Sequence, residues 1–304
     1  MPTSPAIEIT PCTTDADYEA WRQVRIAVLP YERCDSLEEL KKQDASPTRL
    51  MVLAREGGVV VGLGFADRSD AAAMGSLAPR VLPEHRRRGV GTALLHHLAD
   101  HLAALDLPRV RATVDDDGSL EFAHAHGFED TDNEIEQTFT LDTAPQVGAA
   151  PEGVDVVLAS DRPDLWAAAY DGLGKEAVSD FAFSTSIDLT PERWATSWLG
   201  DPMFLAVHDG EVVGCAGLIR DTDVPHRAEN ALTAVRRDWR GRGLAVHLKQ
   251  RTLAWAAGHG ITEVYTWTQD GNDAMRGLNT RLGYATTRRS TMVAHDLPLG
   301  PALD

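Results

Sequence analysis

The chain has 304 residues, 43% hydrophobic and 25% charged, a size and balance expected of two soluble globular domains of about 150 residues each. Its formal net charge of −17 argues against a general nucleic-acid binder, which must present a positive surface to phosphates. No run approaches the ~18 apolar residues that span a bilayer, and "MPTSPAIEITPC" lacks a signal's basic start and apolar core. Cys12, Cys34 and Cys215 lie far apart in no paired spacing, so free thiols and a cytoplasmic setting are expected.

In chain order, "IEIT" (7–10) reads as an opening strand, followed by a helical region and then "MVLAREGGVVVG" (51–62). This segment has an apolar strand, a turn at Glu56–Gly58 and a Val-rich return strand, the pattern of a β-hairpin. "SLAPRVLP" (76–83) is a strand leading into "RRRGVGTAL" (86–94). The helix over 91–105 places Ala93, Leu94, Leu98 and Leu102 on one face. Next come a strand at "RVRATV" (109–114), a short helix ending at "HAHGF" (124–128), and a closing strand at "IEQTFTLD" (135–142).

The same order then recurs. "VDVVLA" (154–159) opens the second half, and "MFLAVHDGEVVG" (203–214) matches the first hairpin at seven of twelve positions with an offset of 152. "ALTAV" (231–235) leads into "WRGRGLA" (239–245), at an offset of 154. A helix over 244–260 turns Leu244, Leu248, Leu253 and Trp255 inward, and "EVYTWT" (263–268) is the next strand. "TRLGY" (280–284) answers "HAHGF" at an offset of 156. Ordered matches at a nearly constant offset imply a duplication. The expected domains are 1–144 and 153–304, joined by a Pro/Gly/Ala-rich linker at 145–152. Each is an α/β (α+β) unit with a mixed sheet and helices on both sides.

Both arginine–glycine segments run from a strand into a helix, where free backbone N–H groups and the positive end of the helix dipole converge. Gly89, Gly91 and Gly243 let backbone approach a bulky anion, and Arg86 and Arg240 can add charge beside it. A pyrophosphate meets these conditions. A solvated basic first turn is the plainer reading of one copy; two copies in equivalent places favour the anion site. No Walker A loop is present, and "GVGTAL" from Gly89 lacks the third glycine of the dinucleotide fingerprint. His97 and His101 stand at i, i+4 without a third ligand, so no metal is expected.

The pattern R-x-x-G-x-G/A, as Arg86–Gly91 and Arg240–Ala245, resembles the acyl-CoA pyrophosphate loop of the GNAT N-acetyltransferases. "NDAMRGLNTRLGY" (272–284) and "DDGSLEFAHAHGF" (116–128) are similar to the segments that follow the next strand in that family. The resemblance covers nearly the whole chain, as in the tandem-domain GNAT proteins of actinobacteria. It implies a mostly antiparallel sheet in each half, and acetyl-CoA, or another acyl-CoA, as co-substrate. Backbone groups of Val81, Leu82 and Pro83, and of Val235, Arg236 and Arg237, would pair with the pantetheine arm. Arg86, Arg87, Arg88, Gly89, Val90, Gly91 and Thr92 would cradle one pyrophosphate. Arg240, Gly241, Arg242, Gly243, Leu244, Ala245 and Val246 would cradle the other, with Asn272 near the cofactor.

The implied reaction is direct attack of a small-molecule amine on the thioester, with a base to take the amine proton. Some family members carry a glutamate at the spacing of Glu229, eleven residues before Arg240; a solvated strand carboxylate is the competing reading. The first half has Gly75 at the equivalent place. The family's tyrosine acid is replaced by Ala123 and Asn279; Asn279 could hydrogen-bond the cofactor sulfur or a water. The second half is therefore the expected catalytic domain, in a monomer or homodimer with neither nucleic acid nor membrane as partner. The alternative is an acyl-CoA-binding sensor that does not turn over.

Overall fold

The computed structural model describes residues 6–69, 73–181, 187 and 189–300. The first half gives β1 (Ile7–Pro11), α1 (Asp15–Val28), α2 (Leu37–Asp44), β2 (Leu50–Glu56), β3 (Val59–Arg68), β4 (Met74–Val81), α3 (Val90–Ala104), β5 (Arg109–Val114), α4 (Asp117–Ala125) and β6 (Glu129–Thr140). The second half gives β7 (Asp155–Leu158), α5 (Pro163–Ala168), α6 (Lys175–Ser179), α7 (Pro191–Thr196), β8 (Met203–His208), β9 (Glu211–Arg220), β10 (Arg227–Val235), α8 (Leu244–Gly258), β11 (Glu263–Gln269), α9 (Asp273–Leu282) and β12 (Ala285–Asp296). The mixed α/β architecture is as expected.

Local chemistry explains the repeats. Both hairpins turn on two residues with positive φ, Gly57–Gly58 and Asp209–Gly210, whose handedness suits the twist of the flanking strands. Each also carries the same irregularity, between Ala54 and Arg55 and between Ala206 and Val207. Helices α1 and α2 start at capping boxes, Thr14 with Asp17 and Ser36 with Glu39. Helix α3 buries Leu94, Leu95, Leu98 and Leu102 against β3 and β4 in the first core. Helix α8 buries Leu244, Leu248 and Leu253 in the second, with Trp255 partly covered.

The compact units do not coincide with the sequence halves. One unit comprises residues 1–132 and 290–304, the other residues 133–289. In the first unit the strand order is β1-β2-β3-β4-β5-β12, with Thr291–Asp296 of β12 antiparallel to β5. In the second it is β6-β11-β10-β9-β8-β7, with Glu134–Thr140 of β6 antiparallel to β11. The strand around 135–142 thus closes the second sheet, and the chain's last strand closes the first. The G-[FY] pairs show how each unit receives the strand from the other half. Phe128 packs on His295, and Tyr284 packs on Phe139, each with ring centroids 5.3 Å apart. A Cβ at Gly127 would lie 3.0 Å from His295, and one at Gly283 3.1 Å from Phe139. Glycine at these helix ends both adopts positive φ and admits the incoming strand.

Candidate active site

The two arginine–glycine segments share their backbone path and three hydrogen bonds. The amide of Leu82 donates to Val61 O, and that of Arg236 to Val213 O, each at 3.0 Å. Arg86 Nε donates to Val81 O (3.1 Å) and Arg240 Nε to Val235 O (3.0 Å). Arg88 Nη2 reaches Glu84 O, and Arg242 Nη2 reaches Asp238 O, both at 3.0 Å. Arg87 (φ 62°) and Gly241 (φ 76°) occupy the same left-handed position, as do Gly89 (φ 84°) and Gly243 (φ 80°). Neither helix that follows has a side-chain N-cap bond. The first-turn amides of Val90, Gly91 and Thr92, and of Leu244, Ala245 and Val246, are left without helical acceptors.

In the second unit this loop borders a cleft of about 670 Å³. Val235, Arg240, Gly241, Gly243, Leu244, Ala245, Val246 and Asn272 line it. Arg236, Arg237 and Arg242 are not among its lining residues. Arg236 is bound to Asp238 and Glu211, whose hydrogen bonds push its guanidinium pKa up. Arg242 stacks over Trp239, 4.4 Å from the ring centroid. Asn272 serves two purposes, lining the cleft while its Oδ1 accepts the Met275 amide and caps α9.

The strands beside the cleft are splayed. β10 pairs in parallel with β11 only from Arg227 to Glu229, then diverges on its way to Val235. A bulge between Asn230 and Thr233 adds one residue to β10 opposite β9. Thr233, just past the bulge, lines the cleft with its Oγ1 buried and without a hydrogen-bond partner. Glu229 lies at the last paired position, half-buried, and accepts a hydrogen bond from Tyr265 Oη at 3.4 Å. Its neighbour Ala228 joins the core under α8, so Glu229 faces the opposite side of the sheet. The cleft is lined by α8 and α9 and also by Ala177, Asp180, Phe181 and Leu232, and Glu229 is not among its lining residues.

Two expectations need correction. Asn279 is fully buried and donates from Nδ2 to Gln137 Oε1 at 3.1 Å; the cleft is lined instead by Met275 and Leu278 of the same helix. One step around α9 turns Asn279 to β6, away from the cleft lining. The first-half counterpart of Glu229 is Ser76 rather than Gly75. Pairings Ser76–Arg111 and Glu229–Tyr265 are equivalent, because the bulge in β10 absorbs one residue that β4 lacks.

The first unit fills the equivalent space. The Phe122 ring lies 3.5 Å from where a Cβ at Gly91 would be. It packs on His126 with centroids 4.3 Å apart, and His126 Nε2 is 3.3 Å from Thr92 Oγ1. A cavity of about 60 Å³ lies between β4, β5 and α4, and its wall includes Pro79, the counterpart of Thr233. Sequence reading missed Thr233, although a threonine standing where the first half has Pro79 was a usable signal. It also missed Asp180, which lines the cleft from 60 residues upstream of Arg240 and has no counterpart motif. Trp194 is a core residue, stacked on Trp166 at 4.0 Å. His101 Nε2 is 2.9 Å from the Thr48 carbonyl. No helix among the described residues is long and apolar enough to cross a membrane.

Comparison with known proteins gives the family and the fold. The profile of the acetyltransferase (GNAT) family matches residues 17–128 and 166–284. The mycothiol acetyltransferase of Nocardia farcinica is 32% identical over 131 residues, which span 40% of this chain and 41% of that protein. A tandem GNAT protein from the clavulanic acid biosynthesis pathway superposes with a TM-score of 0.78 at 24% identity, covering 98% of this chain and 100% of that one. A GCN5-related N-acetyltransferase from Sphaerobacter thermophilus gives 0.72 at 22% identity, covering 99% of both chains.

Proposed function

The chain belongs to the acetyltransferase (GNAT) family, and from that premise we propose that its second unit moves an acetyl group from acetyl-CoA to the amine of a small molecule. The observation that carries this reading is the cleft of about 670 Å³ on the second arginine–glycine loop. Acetyl-CoA supplies the acyl group. The free amides of Leu244, Ala245 and Val246, with Arg240, suit its pyrophosphate, since oriented N–H groups and a guanidinium both favour phosphate oxygens. Where β10 leaves β11, the strands offer unpaired backbone to the pantetheine arm. Thr233 Oγ1 can donate to an oxygen that gains charge as the thioester carbonyl is attacked. Glu229, at the last residue of β10 paired with β11 and turned away from α8, takes the proton that the attacking amine loses. We keep 1–144 and 153–304, with the 145–152 linker, as the duplicated halves from which the packing units are assembled.

The test is thiol release from acetyl-CoA across a panel of small amines, with calorimetric binding alongside. Wild type should bind acetyl-CoA and release thiol with at least one amine. Glu229→Gln should retain binding while kcat falls about 100-fold, within the usual range for a lost general base. Unchanged turnover in that variant removes Glu229 as the base. The lack of a tyrosine acid, whose place in the second half is taken by Asn279, buried and bound to Gln137, favours one second reading: an acyl-CoA sensor. Binding without turnover across the panel would select it.

A further inference from the structure

Arg240, the cleft arginine of the second loop, already holds an anion that belongs to the protein. Asp180, immediately after α6, lines the same cleft and accepts hydrogen bonds from Arg240 Nη2 and from Arg237 Nη2, the latter at 2.7 Å. Arg237 is fixed further by Ser179 Oγ at 2.7 Å, and its amide donates to Glu176 Oε2 at 2.8 Å. Burial alone would raise the Asp180 carboxyl pKa, but the two arginines outweigh it and hold the group below its ordinary value, as a carboxylate. The first loop offers a contrast. Arg86 makes no hydrogen bond to a carboxylate among the described residues; its guanidinium is bound to Val81 O.

We propose that Asp180 occupies the anion position of the cofactor loop as an internal competitor, which a phosphate-bearing ligand must displace to bind there. This rests on the reading of the cleft as an acyl-CoA site. A carboxylate and a phosphate compete for the same guanidinium donors, and like charges repel at close range. Asp180 therefore opposes every anionic ligand of the loop and is indifferent to a ligand without charge there. Coenzyme A, with its pyrophosphate, overcomes that opposition. A thioester of bare pantetheine gains nothing from the arginines and meets no penalty from the aspartate.

The experiment is calorimetric titration of coenzyme A and of pantetheine into wild type, Asp180→Asn, Asp180→Ala, Arg240→Gln and the Asp180→Asn/Arg240→Gln double variant. Asp180→Asn and Asp180→Ala should each bind coenzyme A about fivefold more tightly at low salt, a modest gain because the pairs are largely exposed. Pantetheine binding should be unchanged in both. Arg240→Gln should weaken coenzyme A, and in its background the Asp180→Asn gain should shrink. Equal or weaker coenzyme A binding by both Asp180 variants, with wild type binding normally, overturns the proposal and makes Asp180 an organiser of the arginines. Failure of wild type itself to bind coenzyme A overturns the reading of the cleft, and this proposal with it.

Discussion

The two loops are near-copies in backbone and hydrogen bonding, yet only the second borders a large cleft among the cavities described. The difference lies in what surrounds them. In the first unit Phe122 and His126 press onto Gly91 and Thr92, whereas Leu278 and Ala245 line open space in the second. β4 runs unbulged through Pro79, which has no N–H to offer, while β10 bulges and presents Thr233. Two loops can share a backbone while their surroundings differ, and the side chains opposite a loop decide whether open space borders it.

The largest effect is expected from separating the halves. A fragment of residues 1–144 lacks Thr291–Asp296, the strand beside β5, and exposes a core that includes Val110 and Phe128. It should lack a cooperative unfolding transition by circular dichroism, and adding residues 285–304 in trans should restore one. A fragment that folds alone as stably as the whole chain would show that the exchanged strand is dispensable.

A smaller effect concerns the long helices. Leu95 of α3 and Lys249 of α8 stand at equivalent, buried positions. Burial pushes the Lys249 ammonium pKa down from 10.5 to about 7, with its Nζ over the Tyr284 ring at 5.0 Å. The folded state thus favours the neutral amine. Stability from this group is full above the unfolded pKa, declines as pH falls from 10.5 to 7, and is level below that. Lys249→Leu, which makes α8 resemble α3, should stabilise the protein by about 2 kcal/mol at pH 7. Urea denaturation should show that gain fading towards pH 10; a gain independent of pH would mean that packing rather than charge is responsible.

Much of this comparison was legible in the chain itself. Hairpins, loops and inward helix faces follow from glycine placement and from apolar spacing, which are local properties. The partner of each closing strand was not legible, because β6 and β12 follow the same G-[FY] signal and each pattern suits either sheet. The orientation of Asn279 was hidden for a related reason. It sits one residue from Leu278, and only the position of Gln137 on β6 tells which of the two faces the cleft. Asp180 was hidden by distance, since an ion pair across 60 residues leaves no trace in spacing.

The proposed function puts acyl-CoA at the second loop, which borders the larger of the two cavities described at equivalent places. It is tested most directly by the stoichiometry of acetyl-CoA binding, measured by titration calorimetry on the whole chain, Gly89→Glu and Gly243→Glu. Both substitutions strain the same left-handed backbone position, with φ of 84° and 80°, so their cost in stability should match. The account predicts one site per chain, kept by Gly89→Glu and lost in Gly243→Glu. Two sites, or loss of binding in Gly89→Glu with Gly243→Glu intact, would contradict it.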